Sequence, residues 1–187
     1  MNHCSYFKIR MASRAINQGK LIAYPTEAVY GLGCDPLNET AVVNLLSIKQ
    51  RSVHKGLILI AADFAQLQPY INPSQAMIER ILPSWPGPIT WIVPAQSWVP
   101  AYLKGKHQSL AVRVSAHPLV QQLCSTYGGA IVSSSANISK QAPARCALSV
   151  RKKFYTSDIH ILAGATGAHK QATAIYDALD GQCLRAS

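Results

Sequence analysis

The sequence predicts an α/β domain built around one twisted sheet, with a cleft suited to anions. Short apolar runs alternate along the chain with segments of helical periodicity, the pattern of a sheet flanked by helices. Three strand candidates follow one another closely near the C-terminal end, so part of the sheet is expected to be antiparallel. Basic and hydroxyl-bearing residues gather in loops beside the strands, in a chain with 18 Lys plus Arg against 8 Asp plus Glu.

The elements follow in order. A helix over about 5–18 carries Ile9, Ala12 and Ile16 on one side and leads through Gly19 into an apolar strand over 21–24, which Pro25 ends. A glycine-rich loop follows, through Thr26, Glu27, Tyr30, Gly31, Gly33 and Asp35. Asn38 is a fitting N-cap for a helix over 39–49 with the stripe Val42, Leu45, Leu46, Ile48. A buried strand is expected over 57–61, then helical segments over 63–70 and 74–82. The rigid turn Trp85-Pro86-Gly87-Pro88 feeds a strand over 89–93, and a long loop spans 94–108. A strand over 110–114 carries one charge, Arg113. A helix over 117–127 stops at Gly128-Gly129, and a strand over 130–133 opens into Ser134-Ser135-Ala136-Asn137. A basic helix over 146–154 and strands over 159–162, 174–177 and 182–185 complete the list. Nothing resembles a linker between domains, so residues 1–187 are expected to form a single one.

Composition narrows the class. Hydrophobic residues make up 49%, enough for a sizeable core, yet no apolar run approaches the roughly 18 residues of a membrane span. The N-terminal stretch lacks the continuous apolar middle of a signal peptide, so a cytoplasmic protein without membrane contact is expected. Cys4, Cys34, Cys124, Cys146 and Cys183 are odd in number and far apart, which argues against a disulfide framework or a zinc site. The histidines show no metal-ligand spacing. The net charge of +10 favours polyanions: nucleic acid, nucleotides or an anionic surface.

The most informative stretch is Lys49-Gln50-Arg51-Ser52-Val53-His54-Lys55-Gly56, which sets three fixed cations at the mouth of a buried strand. Only 14% of the residues are charged, so the cluster stands out, although a solvated loop would explain the basic run alone. Pro25-Thr26-Glu27, Arg113 and the serine run 133–135 with Asn137 lie at or beside other strands. Loops at strand ends of an open α/β sheet converge on one cleft. Guanidinium, ammonium, hydroxyl and carboxamide groups meeting there suit a nucleoside triphosphate with a small carboxylate-bearing substrate. Each piece has a plainer reading: the serines as helix-capping turn residues, Glu27 as the partner of a neighbouring lysine, Arg113 as a member of a structural ion pair, Trp85 as packing. No Walker A pattern, dinucleotide fingerprint, nucleophile elbow or Ser-His-Asp set is present.

Taken together and in order, these segments resemble one family. They are Ala23-Tyr24-Pro25-Thr26-Glu27-Ala28-Val29-Tyr30-Gly31-Leu32-Gly33-Cys34-Asp35, Lys49-Gln50-Arg51, Lys55-Gly56-Leu57-Ile58, Trp85-Pro86-Gly87-Pro88-Ile89-Thr90, Leu110-Ala111-Val112-Arg113-Val114 and Ser133-Ser134-Ser135-Ala136-Asn137. The chain is similar to the YrdC/TsaC family, the threonylcarbamoyl-AMP synthases, in its short bacterial form, from about residue 8 onward. The resemblance implies an open, twisted mixed sheet flanked by helices around a positively charged concave cleft. It implies conversion of L-threonine, bicarbonate or CO2, and ATP to L-threonylcarbamoyladenylate and pyrophosphate, for threonylcarbamoyladenosine in tRNA. Mg²⁺ would arrive with ATP, held by its phosphates and water rather than by a protein-built metal site.

By the same resemblance, Lys49 and Arg51 are the catalytic cations. Lys49, Arg51, Lys55, Thr90, Ser133, Ser135 and Asn137 would hold ATP. Thr26 and Arg113 would hold threonine, with Glu27, Tyr30 and Ser139 as second choices. Direct tRNA or RNA binding and hand-off of the product to threonylcarbamoyl-transfer proteins are implied partners. Ser134 stands where the family often has Thr. The segment Ala172-Thr173-Ala174-Ile175-Tyr176-Asp177 lacks the family's usual Pro, and Gly164-Ala165-Thr166-Gly167 matches its Gly-Gly turn only loosely, so no nucleotide contact is carried over to this stretch. The net charge and the basic helix also suit a non-catalytic RNA-binding module, and a carbamoyl-transfer module of the kind found in longer proteins is a third reading.

Overall fold

A computed structural model describes residues 6–169 and 173–186; Cys4 and Ala172, named above, lie outside them. The strands are β1 (Leu21–Pro25), β2 (Tyr30–Gly33), β3 (Ile58–Ala61), β4 (Ile89–Pro94), β5 (Ser109–Val114), β6 (Ile131–Ser135), β7 (Ile159–Ile161), β8 (Ala174–Asp177) and β9 (Cys183–Arg185). The α-helices are α1 (Tyr6–Asn17), α2 (Glu39–Ile48), α3 (Gln75–Ile81), α4 (Ala101–Lys104), α5 (Pro118–Tyr127) and α6 (Ala147–Lys153). The strands form one mixed sheet in the order β7-β1-β2-β6-β3-β5-β4-β8-β9. The pairs β1–β7, β3–β5 and β4–β8 are parallel, and the other neighbours are antiparallel, including the C-terminal pair β8–β9. Among the described residues no helix is long and apolar enough to cross a membrane.

Register decides which side chains share a face, because neighbours across a ladder point the same way and alternate along each strand. Leu21, Ala23, Leu32, Leu59, Val112 and Trp91 share one face and belong to the main buried cluster. Val42 and Leu45 of α2, Met77 and Ile81 of α3, Leu103 of α4 and Val150 of α6 complete that layer. Burial of each large aliphatic side chain there contributes about 1.5–3 kcal/mol. On the opposite face, Ile22, Tyr24, Ile60 and Ile131 pack against Ile9, Ala12 and Ile16 of α1 and Val120, Leu123 and Cys124 of α5. These two helices cover only part of that face. The rest carries Gly31, Ser133, Ser135, Ile58, Ala111, Arg113, Ile92 and Ile175, and these residues line an open cavity.

Local signals set the helix ends. The Asn38 side chain accepts from the Ala41 N–H and starts α2. Pro118 opens α5, and Gly128, in a left-handed conformation, ends it. The expected helix over 63–70 does not form, and only a 3-10 turn, Gln68–Tyr70, is present there. The Gln66 side chain accepts from the Ala62 N–H and the Asp63 carboxylate from the Gln66 N–H, so side chains take the place of helical carbonyls, while Pro69 supplies no donor. The glycine-rich loop contains β2, and the loop over 94–108 contains the single-turn α4. Pro25 closes β1 from inside, as its last residue.

Gly33 fixes how closely β2 approaches β6. A Cβ there would lie 2.4 Å from the Val132 carbonyl oxygen, which is backbone and cannot yield. Gly33→Ala is expected to lower unfolding stability by about 1–3 kcal/mol in urea denaturation, with an unchanged slope.

Candidate active site

The uncovered part of the sheet face is the floor of a cavity of about 450 Å³. Its wall includes Arg51, Lys55, Lys104, Arg113 and Arg185, with Asp177 as the one carboxylate among the described lining residues. Apolar Ile58, Ile92, Leu103, Ala111, Ile175 and Leu184 fill the gaps between them. An apolar floor with a few convergent polar groups is the usual build of a small-molecule site.

The basic loop is shaped by the way α2 ends. The Arg51 N–H bonds to the Leu46 carbonyl at 2.9 Å and the Gln50 N–H to the Ser47 carbonyl at 2.9 Å, with Gln50 at φ +49°. This is a Schellman ending with glutamine in the seat that glycine normally takes. It turns the chain sharply and aims Arg51 at the cavity. Ser52 then caps a short 3-10 turn, Val53–Lys55. Gly56, at φ +63°, fits beneath the Lys104 carbonyl, and the Leu57 N–H bonds to the Leu103 carbonyl at 2.8 Å. Arg51 Nη2 donates to the Gly56 carbonyl at 2.9 Å, which closes the loop on itself.

Lys49 lies behind this wall. It is only 3% exposed, and its ammonium donates to the main-chain carbonyls of Ser135 and of Asn137, the latter at 2.8 Å. In return the Lys49 carbonyl accepts from both the N–H and the hydroxyl of Ser139, each at 2.9 Å. The loop after α2 and the turn after β6 are thereby laced into one unit. Burial, and secondly the nearby Arg51, pull the Lys49 ammonium down to about 8. Within the turn, the Ser135 hydroxyl donates to Asn137 Oδ1 at 2.6 Å, and Asn137 Nδ2 donates to the Ile138 and Gln141 carbonyls.

The opposite wall rests on a buried polar network. Arg113 Nη1 donates to the Thr173 hydroxyl at 2.8 Å, and Arg113 Nη2 stands 3.5 Å from Glu27 Oε2. Arg185 hangs from the Thr173 carbonyl through Nε at 3.2 Å and Nη2 at 2.6 Å, so one threonine carries two guanidiniums. Thr26 is buried and donates its hydroxyl to the Val29 carbonyl at 2.8 Å. The Tyr30 hydroxyl donates to the Gly164 carbonyl at 2.6 Å and accepts from its N–H at 3.0 Å, which anchors the segment after β7. Burial first, and Arg185 second, hold the Arg51 guanidinium below its ordinary range; burial and then Arg113 do the same to Arg185. Arg185 therefore stands between Arg51 and Arg113 in one hollow, coupled to each. Like charges do not gather in this way without cost unless an anion joins them.

Of the residues singled out in the sequence, Thr26, Arg51, Lys55, Arg113, Ser133 and Ser135 line the cavity. Lys49, Asn137 and Thr90 are not among its lining. Thr90 is fully buried, opposite Ile175 in the β4–β8 ladder, and its hydroxyl has no hydrogen-bond partner. Sequence reasoning missed Lys104, Thr173 and Arg185. The alternation that brings Ile175 and Arg185 to one face was a usable signal for Arg185, once β8 and β9 are paired. Among the described residues no three His, Cys, Asp or Glu side chains gather to hold a metal ion.

The fold and cavity define an α/β protein whose cavity wall carries cations and hydroxyls, with no nucleophile–base pair among the described lining residues. Comparison with known proteins narrows the class. A model of the Sua5/YciO/YrdC domain, described as "Telomere recombination", matches residues 14–187, and the chain belongs to that family. It is 47% identical over 186 residues to the threonylcarbamoyl-AMP synthase of Methylococcus capsulatus, covering 99% of this chain and 100% of that one. The threonylcarbamoyl-AMP synthase of Yersinia pestis is 52% identical over 175 residues, 92% of each chain. Among solved structures, P. abyssi Sua5 complexed with L-threonine is similar with a TM-score of 0.86 and 33% identity over 92% of this chain. This chain spans about half of that protein, 51% of its length. E. coli YciO shares the fold, with a TM-score of 0.82 at 23% identity.

The Lys49 lacing gives a pH dependence with two opposite signs. Between pH of about 8 and its unfolded value of 10.5, Lys49 is deprotonated in the folded protein and protonated in the unfolded chain. This group therefore raises global stability as pH climbs through that window, while the neutral amine, still an N–H donor, holds the two carbonyls of the turn more weakly. Hydrogen-exchange protection of the Ser139 amide is expected to fall through about pH 8 without a matching loss of global stability. Lys49→Arg, which stays protonated, is expected to keep that protection flat.

Proposed function

We propose that this chain is a threonylcarbamoyl-AMP synthase, joining L-threonine, CO2 and ATP into L-threonylcarbamoyladenylate with release of pyrophosphate; the one water is lost beforehand, when bicarbonate yields the CO2. The observation that carries the reading is the Arg51–Arg185–Arg113 cluster in one cavity, in a chain of about 50% identity to synthases of that name. Carboxylate, carbamate and triphosphate are all anionic, and the cations of the wall suit each of them.

The chemistry asks little of a protein nucleophile. The threonine amine adds to CO2 and releases a proton, giving a carbamate. A carbamate oxygen then attacks the α-phosphorus of ATP, and pyrophosphate leaves. Attack of one anion on another is slow in water, so the site's task is to neutralise charge and align the groups. Arg51, Lys55, Lys104 and Arg185 face the triphosphate and take up the charge on the departing pyrophosphate. Ser133 and Ser135 hold the nucleotide and the carbamate end, and Arg113 with Thr26 holds the threonine carboxylate. Lys49 and Asn137 keep the Ser135 turn in place, and Thr90 stands beside Ile175 in the β4–β8 ladder. Mg²⁺ would arrive with ATP and offset part of the triphosphate charge, with no protein side chain assigned to hold it.

The product mixes a carbamate with a phosphate in one anhydride and is consumed by transfer of its threonylcarbamoyl group to tRNA adenosine. That step calls for hand-off to transfer proteins, with α6, bearing Arg151, Lys152 and Lys153, as the basic face available to tRNA. A role in tRNA maturation sets the place of work in the cytoplasm.

Pyrophosphate release from ATP is expected to require both threonine and bicarbonate, each omitted in turn. Arg51→Ala is expected to lower the rate by about a hundredfold or more. Turnover that ignores threonine refutes the reading.

A further inference from the structure

Glu27 is not among the residues lining the cavity, but Arg113, which is, leans on it. The carboxylate is locked by its far oxygen: Oε1 accepts from the Ser115 hydroxyl at 2.6 Å and from the Ala116 N–H at 3.1 Å. Oε2 has no hydrogen bond and faces Arg113 Nη2 at 3.5 Å, with both side chains 6% exposed. The backbone of Glu27 is fixed as well. Its carbonyl accepts from the His169 N–H at 3.2 Å, and a Cβ added at Gly167 would lie 2.5 Å from it. The carboxyl is ionised: burial pushes it up, but Arg113, the Ser115 hydroxyl and the Ala116 N–H together bring it below the usual range.

Arg113 is therefore held from two sides, by Glu27 at Nη2 and by Thr173 at Nη1. Its charge is balanced locally, whereas the other guanidiniums of the wall, those of Arg51 and Arg185, hydrogen-bond to neutral carbonyls. A guanidinium is planar and matches a carboxylate only when its fork is correctly aimed. A buried arginine without a counter-charge would also turn toward the strongest anion within reach, which in this cavity is a triphosphate.

We infer that Glu27 is a positioning residue for the amino-acid substrate. It does not touch threonine; it aims Arg113 at the threonine carboxylate and, by cancelling its charge, keeps that guanidinium out of the phosphate site. This rests on the reading of Arg113 as the carboxylate contact. Glu27→Gln is the informative change. The amide oxygen still accepts from Ser115 and Ala116, so the loop keeps its shape, but an N–H donor now points at Nη2.

The test is steady-state kinetics with threonine and ATP varied separately, in the wild type, Glu27→Gln, Ser115→Ala, Arg113→Gln and the Glu27→Gln/Arg113→Gln double variant. Glu27→Gln is expected to raise the threonine KM about tenfold or more and to leave the ATP KM within about twofold. Ser115→Ala removes one of the two donors to Oε1 without removing charge, so it shifts the threonine KM the same way by a smaller factor, and it serves if Glu27→Gln folds poorly. The double variant is expected to be no worse than Arg113→Gln alone, because the glutamate acts through the arginine. An unchanged threonine KM, equal rises in both KM values or effects that multiply in the double variant overturn the inference. A crystal structure of Glu27→Gln gives a readout independent of turnover: the Arg113 guanidinium is expected to leave its wild-type position, and an unmoved one overturns the inference. Wild-type protein without threonine-dependent turnover would instead sink the functional reading, and the two failures remain separate.

Discussion

The architecture depends on one constraint: α1 and α5 cover only part of a sheet face. Where they pack, the face is Ile22, Tyr24, Ile60 and Ile131 and reads as ordinary core. Beyond them the same strands must present something else, since a broad exposed apolar face would invite association. The solution is written residue by residue along the strands. Ile131 gives way to Ser133 and Ser135 on β6, and Ile60 to Ile58 at the cavity on β3, while β5 contributes Ala111 and Arg113 to the floor. The boundary between core and cavity runs across continuous strands, so the floor inherits the rigidity of the sheet.

A second theme is that the basic groups divide into those that face the cavity and those that hold it up. Lys49 and Arg51 are two residues apart, yet the first is spent on the carbonyls of a neighbouring turn and the second opens onto the hollow. The Schellman ending of α2 causes the split, because the left-handed residue between them reverses the chain. Thr173 plays the matching part on the other wall, with its hydroxyl given to Arg113 and its carbonyl to Arg185. Charge repulsion within the wall is thus met by fixed acceptors before any ligand arrives, which is the electrostatic preorganisation that phosphoryl and nucleotidyl transfer require.

Much of the fold was legible because periodicity and capping are local. The helices with apolar stripes, α1, α2 and α5, and the apolar strands β1, β3, β5 and β6 appear within a residue or two of their expected ends. The misses depended on distant partners. Tyr30 to Gly33 is a strand only because β1 and β6 flank it, and its glycines, permissive in isolation, read as a loop. A helix was expected over 63–70, but side-chain hydrogen bonds and Pro69 won locally. In the site, the motif residues indicated the right loops. Whether a side chain faces the cavity, as Arg51 does, or turns away, as Lys49 does, follows from a φ angle at Gln50 that no spacing rule encodes. Arg185 was missed for a different reason: no motif marks it, and its place emerges only when the last two strands are paired.

The sheet is open, and its two borders are unlike its middle. β7 and β9 are three residues each, and the C-terminal border is exposed along its length and carries Arg185. An unpaired strand border is a template onto which another chain can add, and natural proteins protect such borders by keeping them brief and charged. Here the same arginine that completes the cavity wall also sits on that border. A substitution chosen there only for its effect on ligands would change the charge of the border as well.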